Sequence, residues 1–284
     1  MKTIAIIGHT GTVGKQLYKW FTHKIAPKYK VMGLSLDKQT HNWKEVNKEA
    51  DYIFVVVPTP YNWKKDKIDT SIVEGVLRKI GKKKIVIIKS TVPPGTTKKL
   101  QEVFPHLYLF FNPEFLSGAT AWEDFINPDR QLMGYTKKSR SLATKVLHLL
   151  PESPYGVIMR AREAETVKYI NNFHGALMVI FANFFYDICL EIGANFTTVK
   201  RASQASKWVG SPMGRMYWDV YHKGKRGYKG ACFPKDMATL EKWCKMNKIG
   251  HELLSTTIKV NEKLLKRPGL LKKNEPTKRI NKTI

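Results

Sequence analysis

The chain has few cysteines, few acidic residues and no long apolar run, and each shortage narrows its possible functions. Three cysteines in 284 residues are too few for a disulfide framework and have no metal-ligand spacing, so we expect no metal site and a reduced, cytoplasmic location. The apolar stretches fall short of the roughly 20 residues that a membrane-spanning helix needs. The first of them, Ile4 to Ile7, is too short for a signal peptide, so we expect no membrane association.

The shortage of acids leaves a large excess of positive charge. There are 23 Asp and Glu residues against 49 Lys and Arg, which gives a formal net charge of +26. Such a charge attracts nucleic acid, suits a phosphate-bearing substrate and cofactor, or reflects solvated lysines without a specific partner. The basic residues are scattered along the chain and no nucleic-acid-binding motif accompanies them. We therefore favour the last two interpretations over nucleic-acid binding.

Short β-rich runs alternate with helical patterns over residues 1–160. The predicted strands are Lys2 to Ile7, Lys30 to Leu34, Tyr52 to Val57, Lys84 to Lys89, Leu107 to Phe111 and Arg130 to Gly134. The predicted helices between them include Val13 to His23, Ser71 to Ile80 and Lys137 to Leu150. Several strands are continuous apolar runs, as expected where both faces are covered. The pattern predicts an α/β dinucleotide-binding domain with a doubly wound, Rossmann-type parallel sheet.

The pattern changes near Arg160. From Ala161 to about Ile192 there is no proline and one glycine, which predicts a helix of roughly 45 Å. It is apolar enough to need cover on several sides. Shorter helices are predicted at Thr197 to Ala205, Pro234 to Met246 and His251 to Leu265. We expect residues 161–265 to form a small all-helical central domain that makes a homodimer through the long helix, followed by a basic polar tail, 266–284.

The first strand ends in a glycine-rich segment, GHTGTVG, at residues 8–14. Glycines at a strand–helix junction let the backbone approach a pyrophosphate, and the helix N-terminus attracts its charge. The spacing is one residue longer than the common G-x-G-x-x-G pattern. The residues expected to contact a dinucleotide are Gly8, Gly11, Thr12, Val13 and Gly14.

The residues after the second strand bear on the choice of nicotinamide cofactor. The position that usually holds a ribose-binding acid is Ser35, and Asp37 lies two residues further on. A carboxylate there would bind the ribose hydroxyls of NAD, whereas a serine with the nearby Lys38 would tolerate the 2′-phosphate of NADP. We favour NAD, with NADP as the alternative.

The segment GYKGACFPKD, residues 227–236, surrounds the one cysteine with a reactive setting. Pro234 suits the first position of a helix, which places Cys232 just before a helix N-terminus and beside Lys235. Both features stabilise a thiolate, and the flanking glycines give a substrate close access. We therefore predict that Cys232 is a nucleophile, whereas Cys189 and Cys244 are buried and inert.

Three further polar segments are candidates for the site. Lys168 and Asn172 are four residues apart and share a face of the long helix, where the alternative is a solvated stripe. Glu114 follows an apolar strand, at the edge where doubly wound sheets bind ligands; it could be a general base or a helix-capping acid. The segments after the third and fourth strands end at the same edge, where their hydroxyls could contact a nicotinamide ribose or a substrate, or could serve ordinary turns. The residues expected to contact the cofactor there are Val57, Pro58, Thr59, Ser90 and Thr91.

Together these segments resemble the UDP-glucose/GDP-mannose dehydrogenase family. The matching strings, in the family's order over about residues 1–262, are VPTP, STVPPGT, NPEFL…EDFINPDR, EAETVKYINNFHGAL and GYKGACFPKD. The resemblance implies an NAD-dependent, four-electron oxidation of a nucleotide sugar, of the UDP-glucose to UDP-glucuronate type, through a cysteine thiohemiacetal and thioester.

The resemblance also implies a role for each site residue. Cys232 is the nucleophile, and Lys168 and Asn172 stabilise the oxyanion. Asp236 orders or activates water, Glu114 is the base for hydrolysis, and Thr91 supports the site and its water. The residues implied to contact the substrate are Glu114, Phe115, Leu116, Lys168, Asn172, Arg215, Tyr228 and Gly230.

The chain also departs from the family pattern. It stops about where a third, nucleotide-gripping domain would begin, and Gly118 and Phe184 replace two acids of the family. Two alternatives therefore stay open. One is a two-electron β-hydroxyacid dehydrogenase, which needs no cysteine; the other is a non-catalytic relative that binds a nucleotide or polyanion.

Overall fold

The computed structural model describes residues 1–24, 28–35, 41–206, 209, 217–222 and 224–267. Asp37, Lys38, Arg215 and most of the predicted tail lie outside these ranges. The chain divides into two compact units. Unit 1 comprises Met1–Phe173 and Lys235–Gly250, and unit 2 comprises His174–Pro234 and His251–Ile284.

Unit 1 contains a seven-stranded sheet with the strand order β2-β1-β3-β6-β7-β8-β9. Its strands are β1 (Lys2–Ile7), β2 (Tyr29–Leu34), β3 (Tyr52–Val55), β6 (Ile85–Ile88), β7 (Tyr108–Phe111), β8 (Arg130–Tyr135) and β9 (Tyr155–Arg160), and a small hairpin joins β4 (Tyr61–Asn62) to β5 (Lys67–Ile68). Every predicted strand is present, so the Rossmann-type fold class is confirmed.

Two features of the sheet differ from the expectation. β7 and β8 are antiparallel, although every other neighbouring pair in the sheet is parallel. Strand direction is not encoded in an apolar run, because a strand buried on both faces has the same pattern in either orientation. The edge strand β9 was not predicted, because its first two residues are exposed and it lacks a strong apolar run.

Helices cover both faces of the sheet. They are α1 (Thr12–Lys19), α2 (Trp43–Glu49), α3 (Ser71–Lys79), α4 (Thr96–Val103), α5 (Ala121–Ile126) and α6 (Ala143–Leu147). Alternate strand residues enter separate cores, for example Val55 and Phe111 on one side and Phe54 and Phe110 on the other. The continuous helix predicted from Lys137 is wrong, because the Ser139 hydroxyl instead bonds to Leu109 O at 2.7 Å and a 3₁₀ turn precedes α6.

The long helix is confirmed as α7 (Ala161–Glu191), of 31 residues. An 18-residue stretch of this helix is strongly apolar, and 33% of that stretch is buried. By length and composition α7 could therefore cross a membrane, which corrects the expectation drawn from unbroken apolar runs. Core helices of soluble proteins pass the same test, and α7 carries Glu165, Lys168 and Asn172 as buried polar residues.

Unit 2 is helical in the part that the structure describes. It contains the second half of α7, the whole of α8 (Phe196–Ala205) and the whole of α10 (Glu252–Lys266). Of α9 (Phe233–Met246), only the first two residues belong to this unit. A small core of Ala182, Trp218 and Val220 packs there. The prediction of a helical segment after the sheet is confirmed, and the helix bounds agree with the sequence pattern to within one residue.

Candidate active site

The glycine segment makes a tight turn between β1 and α1. Gly8 has φ +94°, and its N–H donates to Leu34 O at 2.6 Å. A Cβ on Gly14 would lie 2.0 Å from Gly8 O, whereas a Cβ on Gly11 would make only an ordinary 3.5 Å contact. Gly14 is thus required for packing, while Gly11 leaves room in front of α1. With no side-chain cap on this N-terminus, its N–H groups can bind a phosphate.

Ser35 braces the glycine segment from the end of β2. Its Oγ accepts a hydrogen bond from Thr10 N–H at 3.2 Å and lies 3.0 Å from His9 Nδ1. The buried His9 ring in turn packs on Gly33, where a Cβ would approach it to 2.8 Å. The Ser35 hydroxyl therefore contacts the glycine segment through Thr10 and His9.

The segments after β3 and β6 are joined at the carboxyl edge of the sheet. Val57 N–H donates to Ser90 Oγ at 3.0 Å, and Ser90 Oγ donates to Val57 O at 2.7 Å. Thr59 Oγ1 donates to Thr91 O at 2.8 Å. The structure thus brings together the two segments that were predicted to contact the cofactor.

Glu114 and Lys168 form a buried pair between the segment after β7 and α7. Lys168 Nζ donates to Glu114 O at 2.7 Å and to Glu114 Oε1 at 2.9 Å. Leu116 N–H donates to the other carboxylate oxygen at 2.9 Å. Burial alone would raise the pKa of Glu114, but the Lys168 ammonium and the Leu116 N–H hold it below its ordinary value. Glu114 is therefore ionised at neutral pH.

Phe115, next to Glu114, is fixed by a cation. The guanidinium of Arg130 lies over its ring at 4.0 Å, and Arg130 Nη2 donates to Asn171 Oδ1 on α7 at 2.8 Å. The segment from Glu114 to Leu116 is thus held against α7 at two points. Glu114 pairs with Lys168, and Phe115 packs on Arg130, which is bonded to Asn171.

The structure also brings Asn172 and Asp236 into contact. Asn172 Nδ2 donates to Asp236 Oδ2 at 2.5 Å, and Lys235 Nζ lies 2.5 Å from Asp236 Oδ1. Lys168, Asn172 and Asp236 are 5%, 4% and 1% exposed. The solvated-stripe interpretation of α7 is therefore wrong, because Lys168 and Asn172 are buried and not solvated.

Lys89 is a buried group that sequence reasoning missed. Its ammonium donates to Asn112 Oδ1 and to Asn112 O. Burial lowers the pKa of Lys89 to about 8, although the Glu114 carboxylate acts in the opposite direction. The sequence did offer one indication of this site, because Lys89 directly follows the buried apolar strand β6.

Glu165 was also missed. It is fully buried on α7, and its oxygens accept hydrogen bonds from Gly95 N–H at 2.5 Å and Thr97 N–H at 2.8 Å. Burial raises the pKa of Glu165 to about 7, against the lowering effect of these donors. The residue caps α4 from a distant helix, so no local pattern identifies it.

Cys232 belongs to unit 2, where it is exposed and immediately precedes α9. The Phe233 ring packs between the rings of Tyr217 and Tyr228, with centroids at 5.4 and 5.9 Å. The pKa of Tyr217 is raised first by burial and then by the neighbouring Cys232. Cys189 and Cys244 are buried, as predicted.

Two further predicted substrate residues, Tyr228 and Gly230, precede Cys232 in the chain. Tyr228 is buried, and Gly230 has φ +88° with open space where a Cβ would stand. Phe184, at a position where the family has an acid, is 60% exposed. The roles of all these residues stay predictions.

Comparison with known families matches almost the whole described chain. Residues 3–149 match the NAD binding domain of the UDP-glucose/GDP-mannose dehydrogenase family, and residues 162–263 match its central domain. The UDP-glucose 6-dehydrogenase of Rhizobium meliloti (strain 1021) is 31% identical over 238 residues, covering 78% of this chain and 52% of that protein. The chain spans about half the length of the curated relatives it matches.

Solved structures show the same fold. A UDP-glucose dehydrogenase from Pyrobaculum islandicum aligns with a TM-score of 0.76 at 24% identity, over 93% of this chain and 68% of that one. The 3-hydroxyisobutyrate dehydrogenase of Mycobacterium tuberculosis aligns with a TM-score of 0.70 at 15% identity, over 93% of both chains. These likenesses support the fold alone.

Proposed function

Because the chain belongs to the UDP-glucose/GDP-mannose dehydrogenase family, we propose that it oxidises the primary alcohol of a nucleotide sugar with NAD. The observation that supports this most directly is the buried constellation of Glu114, Lys168, Asn172 and Asp236, which occupies the same unit as the NAD binding domain. Family membership favours NAD over NADP as the cofactor.

The open N-terminus of α1 suits the cofactor's pyrophosphate, as its backbone N–H groups point away from the helix. The joined segments of Val57 and Ser90 would hold the nicotinamide ribose. Each oxidation stage would pass one hydride from the sugar carbon to NAD, so two molecules of NAD would be consumed in turn for each substrate molecule.

Cys232 is the proposed nucleophile. After the first oxidation its thiolate adds to the aldehyde carbon, and the carbonyl oxygen becomes the alkoxide of a thiohemiacetal. Loss of a hydride from that carbon gives a thioester, and attack by water releases the uronic acid and returns the thiol. A covalent bond is needed between the stages, because a free aldehyde would escape before its second oxidation.

The buried polar groups supply the proton and charge chemistry. Lys168 and Asn172 would donate hydrogen bonds to the oxygen that becomes negative. Glu114 is ionised by its contact with Lys168, so it can accept a proton from the attacking water. Asp236 would orient that water, and Thr91 would support it.

UDP-glucose is the proposed substrate, because the curated relatives are named UDP-glucose 6-dehydrogenase. The test is absorbance at 340 nm with NAD and a limiting amount of UDP-glucose. Two NADH per UDP-glucose is the expected yield, and Cys232→Ala should abolish it. A yield of one supports the two-electron β-hydroxyacid type of chemistry. If the protein binds NADH but produces none from any of a panel of nucleotide sugars, the non-catalytic alternative is supported.

The protein is also proposed to be a cytoplasmic homodimer. Phe181, Phe184 and Ile188 on α7 are 41%, 60% and 38% exposed. Their spacing of three and four residues puts them on one side of the helix. A continuous apolar stripe of this kind marks an interaction surface, and a second copy of α7 offers the matching surface.

A further inference from the structure

The chain segment that leads to Cys232 is clamped from two helices of unit 2. Arg226 is 4% exposed and contacts the second half of α7. Its Nε donates to Asn183 Oδ1 at 2.8 Å, its Nη2 to Asn183 O at 3.1 Å and its Nη1 to Asp187 Oδ1 at 2.6 Å. All three nitrogens of this guanidinium are therefore used to fix one point of the backbone to α7.

The second half of the clamp comes from α10. Asn261, which is 5% exposed, accepts a hydrogen bond from Tyr228 N–H at 2.7 Å and donates to Tyr228 O at 3.1 Å. Gly227, between the two clamped residues, has φ +76°, and a Cβ there would lie 2.6 Å from Asn261 Oδ1. Only glycine lets the backbone come this close in this conformation.

The clamp reaches Cys232 through two aromatic rings. The Tyr228 ring packs edge-on against Phe233, which directly follows Cys232. Phe233 in turn presses on Gly175 of α7, where a Cβ would meet its ring at 2.6 Å. The position of Cys232 at the start of α9 thus depends on a chain of contacts that begins at Arg226 and Asn261.

We propose that Arg226 and Asn261 are positioning residues that hold the thiol of Cys232 at the N-terminus of α9. Neither residue touches the reacting atoms in this scheme. The importance of Cys232 for turnover rests on the proposed function, whereas the positioning itself can be tested without any turnover.

The test is the rate at which iodoacetamide alkylates each cysteine at pH 7, measured by mass spectrometry of peptides. In Arg226→Met and Asn261→Leu, Cys232 should react about fivefold more slowly, because a thiolate released from a helix N-terminus loses about 1 kcal/mol of stabilisation. Buried Cys189 and Cys244 report on unfolding and should not change. Arg226→Lys, which can still pair with Asp187, should restore part of the rate.

Arg267→Met is the matched control, because Arg267 Nη1 also pairs with Asp187, at 2.9 Å, from an exposed position. Its Cys232 rate should equal that of the wild type. An unchanged rate in Arg226→Met, or faster alkylation of Cys189 and Cys244 in both clamp variants, overturns the proposal.

Steady-state kinetics separate this proposal from the proposed function. For an active enzyme, the clamp variants should lose about fivefold in kcat with an unchanged KM for UDP-glucose. If the wild type shows no turnover, the proposed function is contradicted. The alkylation rates then still decide whether Arg226 and Asn261 position Cys232.

Discussion

Lys168 donates hydrogen bonds to both the main-chain oxygen and the carboxylate of Glu114, 54 residues earlier in the chain. The side chains are 7% and 18% exposed, so each ion depends on the other for solvation. Removing one partner of a buried pair leaves an uncompensated charge, at a cost of about 3 kcal/mol.

We therefore expect Lys168→Met to lower the free energy of unfolding by about 3 kcal/mol in urea denaturation at pH 7. Adding Glu114→Gln should cost less than the two single losses combined, because the second change removes the orphaned charge. Lys2→Met, which breaks the exposed pair with Asp51, should cost far less, because solvent screens an exposed ion pair. Equal losses from Lys2→Met and Lys168→Met would contradict this account.

The two glycines at the start of α1 should behave differently when replaced by alanine. Gly14→Ala places a Cβ 2.0 Å from Gly8 O, so backbone must shift and thermal stability should fall. Gly11→Ala makes only an ordinary contact, so the protein should fold normally but bind NADH more weakly, because the methyl group occupies the space in front of the helix N-terminus. Melting temperature and NADH fluorescence titration separate the effects. Normal NADH affinity in Gly11→Ala would place the cofactor elsewhere.

Glu165 predicts a specific pH dependence of stability. Its pKa is raised from 4.5 to about 7 in the folded protein, so between these values the folded state binds a proton that the unfolded state has lost. The contribution of Glu165 to stability is complete below pH 4.5 and is lost as pH rises through 7. Wild type should lose about 3 kcal/mol relative to Glu165→Gln over that interval.

Chemical denaturation of both proteins from pH 4.5 to 8 measures this difference. Glu163→Gln, on the exposed side of the same helix turn, removes an equal charge and should keep the wild-type pH dependence. A constant difference between wild type and Glu165→Gln would show that the carboxyl group does not titrate in this range.

Sequence patterns predicted what depends on local spacing. The apolar runs identified β1, β3 and β6 because a strand buried on both faces needs a continuous run. The glycine spacing located the turn before α1, and the pairing of Lys168 with Asn172 four residues later placed both on one helix face. Each of these features depends only on residues that are close together in the sequence.

Features that depend on tertiary contact were missed or misjudged. Glu165 caps a helix 68 residues away, and Lys89 donates hydrogen bonds to Asn112, which directly follows the neighbouring strand β7. The reversed direction of β8 leaves no trace in its own composition. The apolar character of α7 was underestimated, because isolated polar residues such as Lys168 interrupt a helix whose mean hydropathy is high.

The exposed stripe on α7 leads to a prediction about assembly. Phe184→Glu places a charge at its most exposed apolar ring within the helix, and burying an unpaired charge in an interface is strongly unfavourable. We expect light scattering to give twice the chain mass for wild type and the chain mass for Phe184→Glu. Leu190→Glu, which is 54% exposed and faces the opposite side at about 100° per residue, should remain dimeric. A monomeric wild type, or dissociation by both substitutions alike, would rule out this stripe as the dimer interface.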